Sequence, residues 1–394
     1  MLALLCLVYE ERGEFPPNTD EIYDEATRAL LVKWDSSRNI ARDVVYKQLS
    51  LKHKQNMLAW IAAETFVESE YFLPEKRVVG LIDTYLQGVP GLEEPDGQLV
   101  LQAMEAQHGI FVERARRIHS FSHLTLQEYF AARYIVDNSK RGAVAPLMRR
   151  VGDDRWREVF KLTAGMLNDA TEFFELYLAA VPSLLNNDAQ LLALLSWAAQ
   201  KSAQSPVAYR PPALRAFLLS RACELNLDLV LNRAVVLDLA LNRAVALDLN
   251  LNHAVAVALD LAVARDLAQA RHRAVARDLA RDRALQVAED LRLTDFKAEL
   301  SKLSQPDEAD GLEVRQSFAK NFVAVLEKYE NDWSPYRKVT VTNEDVSLFT
   351  NLSEDQIKSW TRYLEANALM VECLKLSYVP DRELIEDQLL LPPI

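Results

Sequence analysis

Phe121-Ser-His-Leu-Thr-Leu-Gln-Glu-Tyr-Phe-Ala-Ala-Arg-Tyr134 joins an apolar hairpin to a helix and carries one polar histidine, His123, at the junction. Just upstream, residues 110–122 read as two short strands around a basic turn at Ala115-Arg116-Arg117. Downstream, apolar residues at helical spacing predict an amphipathic helix from about Leu124 to Val136.

Working outward toward the start of the chain, Asn18-x-x-Glu21 reads as a capping box opening a helix over about 19–35. Its apolar positions Ile22, Tyr23, Ala26, Leu30, Leu31 and Trp34 form one stripe. A second helix is expected over about 51–68, with Met57, Leu58, Ile61, Ala62, Thr65 and Phe66 inward. After a Gly- and Pro-rich loop from Gly88 to Gly97, a third runs over about 97–108 and stops at His108-Gly109. Helix, helix, helix, hairpin, helix is a winged-helix order.

Toward the other end the reading is helical at Trp156 to Asn168, Ala170 to Val181 and Ala189 to Gln200. A ten-residue repeat follows, with Leu231-Asn-Arg-Ala-Val-Val-Leu-Asp-Leu-Ala240 echoed at Leu241 and Leu251. Ten residues are not a whole number of turns at about 3.6 per turn, so Asp228, Asp238 and Asp248 drift around a continuous helix. Several shorter helices are therefore expected, with a β-helix of five-residue rungs as the competing geometry. The Ala, Leu and Arg content favours helix. The last region opens at a second capping box, Ser353-x-x-Gln356, with a helix through about Cys373. The predicted fold is mainly α, a winged-helix domain with a short β-hairpin followed by helical, repeat-containing domains. Its divisions are a helical segment over 1–45, a winged helix over 46–140, and helical domains over 141–212, 213–305 and 306–394.

Composition narrows the function. The 57 acidic and 45 basic residues give a net charge of −12, which opposes non-specific attraction to nucleic acid or to an anionic membrane. Cys6, Cys223 and Cys373 show no paired spacing, so neither a disulfide framework nor a zinc site is indicated and a reducing cytoplasm is expected. The apolar opening of the chain is shorter than the about 20 residues that span a bilayer. No glycine is followed by lysine, so the phosphate-cradling Gly-x-x-x-x-Gly-Lys motif is absent from the sequence. HExxH, GxSxG and GxGxxG are absent as well. No catalytic residue and no metal site is predicted.

Two features remain as candidate contacts. Arg114, Arg116 and Arg117 stand where a DNA-binding winged helix carries its phosphate-contacting wing, or else form a solvated hairpin tip or a protein-docking surface. His123, at a strand-to-helix junction, is either a structural donor or a group that can meet a phosphate oxygen beside the free amides of a helix N-terminus.

The 121–132 run resembles the signature closing the winged-helix domain of NACHT-type STAND NTPases, the bacterial relatives of NOD-like receptors. Leu4-Leu-Cys-Leu-Val-Tyr-Glu-Glu-Arg-Gly13, Leu30-Leu-Val-Lys-Trp-Asp35, Glu105-Ala-Gln-His-Gly109 and Val112-Glu-Arg114 are similar to the helical and winged-helix regions of cyanobacterial members. Tyr363-Leu-Glu-Ala-Asn-Ala-Leu-Met-Val-Glu-Cys373 and Leu389-Leu-Leu-Pro392 resemble their C-terminal helical domain. The resemblance implies a signalling or antiviral defence protein in which an ATP/ADP switch drives oligomerisation, the NTPase core lying upstream of a segment like Leu2 to Arg12. It implies that His123 contacts the ADP phosphate in the complete protein. For this chain by itself it implies no cofactor, no enzymatic activity and a role in binding protein partners. A helical-repeat scaffold with no nucleotide role is the alternative, and a DNA-binding winged helix a further one.

Overall fold

The computed structural model describes residues 6, 9–10, 13–14, 16, 19–37, 49–92, 96–107, 109–204, 211–212, 214–216, 218–219, 298–299, 301–302, 321, 324–325, 328 and 352–393. The cap at Asn18, the helix stop at His108 and the 231–256 repeat lie outside these residues. The described chain is mostly helical with one small antiparallel sheet. It divides into two compact units, residues 1–177 with 372–380, and residues 178–371 with 381–394.

The first unit opens with α1 (Thr19–Ser37) and α2 (Leu51–Val67), then β1 (Leu73–Pro74), α3 (Glu75–Leu86) and α4 (Gly97–Gln107). The wing strands β2 (Phe111–Ala115) and β3 (Ile118–Phe121) and the helix α5 (Leu124–Asp137) follow. The order α2, β1, α3, α4, β2, β3 with strands arranged β1-β3-β2 is a winged helix. Sequence reading found the hairpin and the flanking helices but missed α3 and β1. Two residues of strand are too short to show an alternating pattern, and Pro74 within them argues against a strand from sequence. Here Pro74 lies in an outer strand, pairs with Ile118, and also starts α3.

The hairpin register sets the core. Phe111 and Phe121 face each other across β2 and β3 with ring centroids 4.5 Å apart, and Phe121 reaches Phe130 of α5. Met57, Leu58, Ile61 and Phe66 of α2, Val78 and Ile82 of α3, and Val100 and Met104 of α4 are buried with them. The start of α4 is held against α3, because Asp83 Oδ1 accepts the Gly97 N–H at 2.7 Å. A Cβ on residue 97 would come within 2.9 Å of the Val79 carbonyl oxygen, so only glycine permits that approach. α1 is tied to α5 by Tyr23 stacked on Tyr129 at 5.5 Å.

Past α5 a four-residue helix α6 (Val144–Leu147) leads to α7 (Arg157–Met166) and α8 (Thr171–Ala180). Phe160, Phe173 and Tyr177 form an edge-to-face cluster there, and Trp156 meets Phe66 at 4.8 Å. Arg157 pairs with Glu372, and the buried Cys373 thiol is pushed up by burial. The second unit contains α9 (Ala189–Gln204), and α10 (Glu354–Leu376) and α11 (Arg382–Asp387) complete the described helices. The capping box at the head of α10 forms as expected. Ser353 N–H donates to Gln356 Oε1 at 2.8 Å, and Gln356 N–H donates to Ser353 Oγ at 3.2 Å. Gln356 Nε2 also donates to Asp188 Oδ2 and Gln190 Oε1, fastening that end of α10 to the head of α9. No helix among the described residues is long and apolar enough to cross a membrane.

Candidate functional site

His123 is the residue preceding the first turn of α5, in extended backbone geometry, and its side chain makes no capping hydrogen bond. The residue is exposed. The imidazole is thus free beside the positive end of a fourteen-residue helix, an arrangement that suits contact with an anion. Leu124 beside it is 49% exposed. The first turn of α5 is fixed by Gln127, whose Nε2 donates to Thr65 Oγ1 at 2.9 Å and to the Glu70 carbonyl at 3.2 Å. That anchor lays the head of α5 against the end of α2 and the segment entering β1, where Val67 and Phe72 are also exposed, Phe72 by 67%. Leu124, Val67 and Phe72 are thus large apolar side chains left in water on the segments that meet at the head of α5.

The three wing arginines behave differently from one another. Arg114 lies back along the hairpin, its Nε donating to Ser120 Oγ at 2.9 Å and its guanidinium to the Ser122 carbonyl at 2.6 Å. It therefore braces the backbone just before His123. Arg117 occupies the left-handed region at φ 60°. Its N–H donates to Glu113 Oε1, and its carbonyl accepts the Glu75 N–H that opens α3. Arg116 is exposed at the tip. Of the three, Arg114 alone has its side chain engaged, while the side chains of Arg116 and Arg117 are exposed at the wing tip.

In this topology α4 takes the place that a DNA-binding winged helix uses to enter the major groove. It carries no Lys or Arg, and its outward side presents Leu99 and Gln102.

Sequence reading singled out His123 and passed over His119, four residues earlier. His119 is 2% exposed, with Nε2 2.7 Å from Glu105 Oε1 of α4, and its Nδ1 has no partner. Burial pushes the Glu105 carboxyl up from its ordinary value, against the opposing pull of His119. The available signal was the period of two, which puts His119 on the same strand face as Phe121. Sequence reading also gave no role to Arg133. It donates to Asp24 Oδ1 at 2.7 Å and to the Tyr129 hydroxyl at 3.0 Å, joining α5 to α1. No cluster of metal-ligating side chains occurs among the described residues.

Two family models match the chain. Residues 19–135 match the winged helix-turn-helix domain C-terminal to NACHT, the stretch that contains α1 through β3, His123 and nearly all of α5. Residues 296–392 match the NACHT C-terminal helical domain 2, which takes in α10 and α11. No curated protein and no solved structure matches the chain. Both matched domains are non-catalytic, and together they identify the chain as belonging to the C-terminal part of a NACHT protein.

Proposed function

We propose that this chain is the regulatory region of a NACHT-type signalling NTPase, with the winged helix serving as a clamp on a nucleotide held by the NTPase domain. In this reading His123 donates to a phosphate oxygen of bound ADP and holds the resting state. ATP exchange then releases the head of α5, freeing the complete protein to assemble after a trigger is sensed, in cytoplasmic defence or another signalling setting. The chain's own part is recognition, and hydrolysis belongs to the NTPase domain.

The observation that carries the reading is the head of α5. An unengaged imidazole and the helix's first amides stand together there, on a domain matched to the one that follows NACHT. Exposed Leu124, Val67 and Phe72 supply the apolar contact that a packed neighbouring domain would cover. The absence of cations on α4 and the engagement of the Arg114 side chain with Ser120 and Ser122 favour a protein surface over DNA as the partner.

The test is ADP retention by the complete protein, with an NTPase domain joined to or mixed with this chain. His123→Ala should speed ADP release and raise basal assembly, while Arg116→Ala should leave both unchanged. Unaltered ADP retention in His123→Ala removes the clamp.

A further inference from the structure

At the opposite end of α5 from His123, about 20 Å away at 1.5 Å per residue, lies a groove of about 860 Å³. It is bordered by the first turns of α2, the end of α3 and the end of α5 with the turn that follows. Its lining has the opposite electrical character to the chain as a whole. In a protein of net charge −12, Lys52, Arg133 and Arg141 meet there with His53, against the single carboxylate of Asp137. Asp137 is 3.7 Å from Arg133 Nε, and Arg133 is further held by Asp24. Lys52 and Arg141 are exposed and have no ion-pair partner among the described residues. The positive end of α2 opens on the same side, its Ser50 Oγ accepting the His53 N–H.

One wall is aromatic. Trp60 and Tyr85 have ring centroids 6.2 Å apart and planes inclined by 33°, and His53 Nδ1 lies 3.3 Å from the Tyr85 hydroxyl. Trp60 and Tyr85 are only half-buried, so ring surface faces the groove. Free cations at the rim and ring faces on the wall are the two halves of recognition for a planar aromatic group that carries phosphate. The volume falls within the range of about 300–1,000 Å³ typical of small-molecule sites and suits one such unit.

We infer that this groove binds a mononucleotide, its base against Trp60 and Tyr85 and its phosphates toward Lys52 and Arg141. The site is separate from the clamp at His123 and does not depend on it.

The intact chain, without any NTPase domain, is titrated calorimetrically with ATP, adenosine, inorganic tripolyphosphate and a short single-stranded oligonucleotide. ATP should bind saturably at one site, more tightly than either adenosine or tripolyphosphate. Lys52→Glu with Arg141→Glu should weaken ATP roughly tenfold or more, and Trp60→Leu roughly fivefold, as loss of charge contacts and of a stacking face requires. Both rim residues are exposed, so the charge reversals leave the core intact, and a melting curve like that of the parent chain verifies it. Arg116→Ala, at the wing tip, should bind ATP normally. Absence of saturable ATP binding overturns the inference, as does tripolyphosphate binding as tightly as ATP, an oligonucleotide displacing ATP at equal concentration, or unchanged affinity in the double charge reversal.

Discussion

His119 Nε2 lies 2.7 Å from Glu105 Oε1 inside the wing, four residues before His123, which stands exposed at the head of α5. The same residue type thus has a structural task on one side of the strand end and a free ring on the other. His119→Ala should cost about 2–4 kcal/mol, because it leaves a cavity and strips the half-buried Glu105 of its partner. His123→Ala should change stability by less than about 0.5 kcal/mol. Denaturant unfolding of the two variants checks this, and equal losses would contradict the assignment.

Glu128, on the buried side of α5, has its carboxyl raised to about 7 by burial, with the Glu158 charge adding to the effect. An acid raised in the folded state binds its proton there while the unfolded chain has released it. Stability from this group is therefore greatest below the unfolded value and declines as pH rises toward 7. Glu128→Gln should be more stable than the parent at pH 8 by on the order of 1–2 kcal/mol, after discounting for partial solvent access. The difference should close at pH 4. A variant weaker than the parent at pH 8 would show that the carboxylate has a favourable partner.

Arg133 couples α5 to α1 through Asp24 and the Tyr129 hydroxyl, whose ionisation burial pushes up to about 12. A double-mutant cycle on Arg133→Met and Asp24→Asn should give a coupling of about 1–2 kcal/mol, since Asp24 remains half in water. A coupling of zero would mean that the two helices are held by the Tyr23–Tyr129 stack instead.

In the second unit, Arg215 is 3% exposed and donates to the carbonyls of Leu389 and Asp387 at 2.8 and 2.7 Å. Burial pulls its pKa down to about 10, still well above neutrality, so the charge is kept. Arg215→Met should cost about 2–4 kcal/mol through two abandoned carbonyls. It should also expose the segment after α11 to protease. Unchanged cleavage there would show that the apolar contacts of Leu389 and Leu390 suffice.

Legibility in the sequence tracked periodicity and caps. α2, α4, β2, β3 and α5 fall close to where their apolar spacing put them, and Ser353 with Gln356 forms the box its spacing announced. α3 was missed even though it follows its strand directly. Its own sequence carries a local signal, with Val78, Leu81, Ile82 and Leu86 buried at helical spacing behind Pro74 and Glu75, while its N-terminal amide is satisfied by the Arg117 carbonyl forty-two residues away. His119, Gln127 and Arg133 were missed for a different reason, since Glu105, Thr65 and Asp24 reach them only after folding. The groove likewise brings Lys52 and Trp60 of α2 together with Tyr85 and Arg141 from two other stretches of chain.

Pro74 in the outer strand β1 has a further consequence. A proline has no N–H to offer an incoming strand, and β1 is only two residues long. The other border, β2, ends in Glu113, Arg114 and the bulge before Ala115. Proline at one border, and charges with a bulge at the other, disfavour adding a strand. The sheet is thereby biased against edge-to-edge pairing of copies through the wing.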